Sequence, residues 1–158
     1  MRLTFLLLSV LAVWPFSACR SLPCELRRAD VADVIPPNPE KKIALLSDRT
    51  DPCTAAIADG LERTGWNLST GTSFAQGEWA LMKIDIQYGT DSAAPSEILV
   101  CLFENRGARR KDGMRSLVSF AGNCAPREYA RRFVEAVNAA YERSQNADRK
   151  RSGQRISS

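Results

Sequence analysis

Residues 79–88 read WALMKIDIQY, with Ala80, Met82, Ile84, Ile86 and Tyr88 on one side and Lys83, Asp85 and Gln87 on the other. Successive side chains of a strand point to opposite faces, so this alternation predicts a strand with one apolar face. Beyond a turn at Gly89–Pro95, Glu97–Glu104 is apolar on both sides, with Ile98, Val100 and Leu102 against Leu99, Cys101 and Phe103. Such a run predicts a strand covered on both faces. A second turn begins at Asn105-Arg106-Gly107 and ends at Gly113, and Met114–Ala121 returns as a third antiparallel strand. This three-strand meander is the frame on which the flanking segments are placed.

Upstream, Lys42–Ser47 is short and apolar and predicts a first strand. Asp51-Pro52 then starts a helix over 52–64, because Asp accepts from the free first-turn amides and proline has none to lose. Ile57 and Leu61 give that helix its buried stripe, Gly65 is its left-handed stop, and Trp66 folds back as the apolar partner. A short strand over Asn67–Thr70 and a Ser/Thr/Gly-rich loop lead into the meander. Downstream, Cys124-Ala125-Pro126 opens a final helix with Ala130, Phe133, Val137 and Ala140 or Tyr141 on one side. The order predicts an α+β fold over residues 41–144. It is a two-layer sandwich of a mainly antiparallel sheet of about four strands with two helices on one face. Residues 145–158, with Arg149-Lys150-Arg151 and Arg155, read as a disordered basic tail.

The first 18 residues have the form of a signal peptide. A positive start at Arg2 precedes an apolar run from Leu3 to Val13, too short for the ~20 residues that span a bilayer, and Trp14-Pro15 ends it. Phe16-Ser17-Ala18-Cys19 resembles the lipobox of bacterial lipoproteins, with Phe16 where leucine is commonest. The resemblance implies a diacylglycerol on Cys19, cleavage before it and a mature chain anchored in a membrane. Arg20, where an aspartate in that family signals inner-membrane retention, implies the outer membrane, facing the periplasm. Residues 19–40, ending in Pro36-Pro37-Asn38-Pro39, then read as lipid anchor and stiff tether; a brief helix over Glu25–Val34 stays open. The alternative is an ordinary cleaved leader and a soluble secreted protein. The order of elements is similar to that of small envelope lipoproteins such as the penicillin-binding-protein activators, and to the amino-terminal domain of the Tol translocation protein. That likeness carries over no functional residue.

The chain has no histidine among its 158 residues. This removes the Ser-His-Asp and Cys-His nucleophile systems, His-ligated zinc and the usual general base near neutral pH. The net charge of +4 does not mark a nucleic-acid binder. With Cys19 acylated, Cys24, Cys53, Cys101 and Cys124 remain, an even set suited to an oxidising compartment. Cys53 and Cys124 both sit at helix starts, so the expected pairing is Cys53–Cys124 with Cys24–Cys101; a free Cys101 acting as a small hydrophobe is the alternative. No C-x-x-C pair supports a metal site, and no cofactor is expected.

Asp48, Asp51 and Glu62 are the nearest approach to a catalytic carboxylate cluster, and each has a plainer reading as turn, cap or solvated helix residue. No catalytic residue is assigned. Arg106, Arg109, Arg110 and Lys111 crowd one hairpin, and Arg127, Arg131 and Arg132 line the last helix; together they form a basic patch suited to phosphates or to peptidoglycan carboxylates, or simply a solvated surface. Asn67-Leu68-Ser69 fits a glycosylation acceptor only in a eukaryotic source. If the helices cover the Ile84/Ile86 side, then Leu99, Phe103 and Leu117 surface together as a partner or self-association face. The reading that joins these points is a lipid-anchored envelope protein that binds another envelope protein or peptidoglycan without doing chemistry. A soluble secreted inhibitor or binding factor, and a small carboxylate-dependent hydrolase, are the alternatives.

Overall fold

The computed structural model describes residues 24–71, 74–87, 97–107 and 113–154. Eight elements follow in order: β1 (Glu25–Val31), β2 (Lys42–Leu45), α1 (Pro52–Arg63), β3 (Asn67–Thr70), β4 (Trp79–Ile86), β5 (Glu97–Asn105), β6 (Met114–Asn123) and α2 (Pro126–Gln154). The α+β class holds, but the sheet has six strands, ordered β1-β6-β5-β4-β2-β3. It is mixed, because β2 runs parallel to both β3 and β4 while β1, β6, β5 and β4 alternate in direction.

Helix α1 forms as its ends direct. Asp51 accepts from the Thr54 amide at 2.7 Å, and Pro52 follows at the first helical position. At the other end Gly65 takes φ 86°, its amide bonds to Glu62 and that of Trp66 to Leu61. This pair of bonds satisfies the last carbonyls and turns Trp66 back into the core, where it lies 5.5 Å from Trp79. Both helices bury their apolar stripes in one core: Ile57, Leu61, Tyr129, Phe133 and Val137 meet Ile43, Leu45, Trp79, Leu81, Val100, Leu102, Val118 and Phe120. Gly60 lets the helices approach, since a Cβ there would meet Val134 Cγ2 at 2.9 Å.

Two expectations are corrected at the chain ends. Residues 24–40 are built into the domain and are no tether. β1 pairs with β6 along its length, Ile35 is buried, Ser144 Oγ donates to the Ile35 carbonyl at 2.6 Å, and Tyr141 Oη to that of Asn38 at 3.1 Å. The strand has no periodic signature, because Glu25–Val31 lies at a sheet edge and is mostly exposed, so it lacks alternation. The final helix continues to Gln154, where a disordered tail was expected. Its later turns lie beyond the core, so no apolar stripe announces them.

A third correction concerns which side of β4 faces the helices. Trp79 and Leu81 join the helix-side core, and cross-strand register puts Lys83 on that side, between Leu81 and Asp85 and opposite Val100. Ala80, Met82, Ile84 and Ile86 point away. Leu99 pairs with Ile84 and Phe103 with Ala80, so these residues share the helix-free face instead of opposing one another across the sheet. Phe103 does not surface there: Phe74, from the β3–β4 connection, covers it at 5.3 Å in edge contact. Leu117 is buried beside the register shift of β6.

Candidate functional site

Cysteine pairing is set by strand register. Glu25 lies opposite Asn123 in the antiparallel β1–β6 ladder, so the next residue along on each strand, Cys24 and Cys124, also face each other. They form a disulfide with Cα atoms 4.2 Å apart, across 100 residues of chain. This replaces the expected Cys53–Cys124 and Cys24–Cys101 pairs; Cys53 and Cys101 are both free. The sheet stands between them, because Cys53, in the first turn of α1, is buried in the helix-side core while Cys101, opposite Met82 and Ser119, points to the helix-free face. Burial pushes the Cys53 thiol up to about 11, which removes it as a nucleophile near neutral pH.

The start of α1 and the parallel strands β2 and β4 bring one polar cluster to the same end of the sheet. Lys83 Nζ, nearly buried, donates to Asp51 at 2.7 Å and to Asp85 at 2.9 Å. Its amide bonds to Ser47 Oγ at 2.6 Å. Burial works against the charged ammonium, but the two carboxylates outweigh it and raise its pKa above the ordinary lysine value. Asp51 is likewise pushed up by burial yet ends lower, held by Lys83 and the Thr54 amide. A carboxylate poised as a general acid needs the opposite shift. The other candidates are also occupied. Asp48 accepts from the Thr50 amide at 2.8 Å, and Glu62 binds Arg49 at 2.9 Å. Sequence alternation counted Lys83 and Asp85 as outward-facing; their partner, Asp51, arrives from a different element.

The arginines do not form one patch. Arg106 sits at the β5–β6 hairpin, 3.8 Å from Glu104, whereas Arg127 and Arg131 begin α2 beyond the far end of β6. A ten-residue strand separates these ends by ~33 Å. On α2, Arg131 binds Glu128 and Glu135, and Arg132 also binds Glu128, so this face is largely neutralised. Cys19, Arg109, Arg110 and Lys111 lie outside the described residues. Asn67 is exposed at the start of edge strand β3 and donates to the Glu40 carbonyl.

Among the described residues, the sheet face that the helices leave uncovered is the one opposite the core. Across it run Arg28, Ala121, Leu99 and Ile84, and beside them Asp30, Ser119, Cys101 and Met82. Ile84 is 40% exposed, while Met82, Ile86, Leu99 and Cys101 are half-buried. A shallow depression of about 470 Å³ lies between β1 and this apolar row, lined by Arg28, Val31, Leu99, Cys101 and Leu117. The individual residues were visible in the sequence, but not that they share a face.

Among the described residues, no group of three or more His, Cys, Asp or Glu side chains is placed to hold a metal, and no helix is long and apolar enough to cross a membrane. No protein-family model matches the chain, and no curated protein matches it.

Proposed function

We propose that this chain is a lipoprotein of the bacterial cell envelope, acylated on Cys19, whose α+β domain acts by binding and carries out no chemistry of its own. The observation that carries the reading is the Cys24–Cys124 disulfide, a bond characteristic of extracytoplasmic compartments. It starts five residues after the lipobox-like cysteine. The engagement of Asp48, Asp51, Glu62 and Lys83 in caps and ion pairs supports binding over hydrolysis. A partner protein or peptidoglycan of the envelope is the proposed target, with the outer membrane, facing the periplasm, as the address. Self-association is a secondary expectation.

The test is metabolic labelling with a fatty-acid analogue in a bacterial host, with the full chain and its Cys19→Ser variant side by side. Labelled, membrane-bound wild type and unlabelled, soluble variant are expected. An unlabelled wild type recovered as a soluble processed chain would replace this proposal with the secreted binding factor.

A further inference from the structure

The packing of β1 into the sheet changes what a lipid on Cys19 would do. The described residues begin at Cys24, which is fixed to Cys124. Five peptide units reach at most ~18 Å. An acylated Cys19 would therefore hold this corner of the sheet close to the headgroups, with no spacer to lift it away. Crossing from β1 through β6 and β5 to β4 takes three strand spacings, or about 14 Å. Ile84, Ile86 and Leu99 of the helix-free face lie toward the same end of the sheet, since Ile86 pairs with Glu97 while Leu99 and Glu25 pair near the close of β6. The anchor's reach thus takes in the apolar face.

We infer that the helix-free face, centred on Ile84 and Leu99, docks against the phospholipid bilayer that holds the anchor; this rests on acylation of Cys19. The apolar row supplies a second membrane contact beside the acyl chains, and a single weak contact becomes effective once the first fixes it nearby. Arg27 and Arg28 are exposed on β1 at the rim of this face, where guanidinium groups meet lipid phosphates. Arg28 is paired at 2.7 Å with the exposed Asp30, a surface contact weak enough for phosphate to compete.

Cys101 is a native reporter for this docking. It lies mid-face and half-buried, whereas Cys53 is 2% exposed and Cys24 and Cys124 are bonded. The lipidated full chain is added to preformed vesicles containing phosphatidylglycerol, and Cys101 is labelled with a membrane-impermeant maleimide. Labelling is expected to slow about tenfold relative to the Cys19→Ser chain free in solution, as for a face docked about nine-tenths of the time. Ile84→Asp, at an exposed position, should restore the free rate while keeping the Cys24–Cys124 bond; Leu99→Asp is the second variant. Acylated protein labelled at the free rate overturns the docking and leaves the anchor standing. Intact mass showing no acyl group on Cys19 overturns both. Protection that needs no vesicles and grows with protein concentration overturns it in favour of a second copy covering the face.

Discussion

Replacing Cys24 with serine tests the reading of the edge strand, because the bond closes nearly the whole domain. It spans 100 residues, and the chain-entropy model assigns a loop of that length about 4.7 kcal/mol. Domains have ~5–15 kcal/mol in all, so the loss would be a large share of the total. At this size each kcal/mol moves the melting midpoint by ~3–5 °C, giving an expected fall of about 14–24 °C. Thermal melts followed by circular dichroism would compare wild type, Cys24→Ser, Cys124→Ser and the double variant. Since either substitution removes the whole bond, all three variants should fall together and the double should be no worse than the singles. Reductant should lower wild type to the same midpoint and leave the variants unmoved. Cys53→Ser and Cys101→Ser should retain the reductant sensitivity. If Cys24→Ser melts with wild type while Cys53→Ser abolishes the reductant effect, the register argument is refuted and Cys124 pairs elsewhere.

Three further outcomes follow from named contacts. Gly122→Ala should destabilise more than Gly60→Ala in urea titrations: the new Cβ at Gly122 would overlap the backbone of Glu25 and Leu26, whereas at Gly60 it meets only the Val134 side chain. Val134→Ala should accordingly rescue much of the Gly60→Ala loss and do nothing for Gly122→Ala. Thr54→Val should be neutral or stabilising by up to about 1 kcal/mol in the same assay, because the buried Thr54 Oγ1 makes no well-formed hydrogen bond among the described residues and its desolvation is largely uncompensated. Glu128 is held down to about 2 by Arg131 and Arg132. Its contribution is therefore present above the ordinary carboxylate value of 4.5 and lost as pH falls toward about 2. Glu128→Gln should flatten the urea midpoint between those limits and leave its slope above pH ~5 unchanged.

What the sequence disclosed, and what it withheld, divides along the range of the forces involved. Helix α1 was readable because Asp51, Pro52 and Gly65 act on amides and carbonyls within a few residues. The meander was readable because β4 and β5 carry apolar residues that burial demands. Strand β1 was not: its exposed residues, ELRRADV, take their shape from β6, about 90 residues away. The disulfide is equally illegible, since its geometry exists only once that ladder forms. The inner side of β4 does not show in its polarity, because burial there tolerates Lys83, which two carboxylates neutralise. Reading the alternation by polarity alone reversed the strand, and with it the face that stays open. The basic residues are evident in the sequence but their separation is not, because the hairpin and the start of α2 lie at opposite ends of β6.

The most direct test is mass spectrometry of the native chain cut after glutamate without reduction. The peptide Cys19–Glu25 should begin the mature protein, carry a diacylglycerol mass on its first residue and remain joined through Cys24 to the peptide that contains Cys124. A chain that still begins at Met1, an unmodified Cys19, or a Cys19 bound in a disulfide would contradict the account.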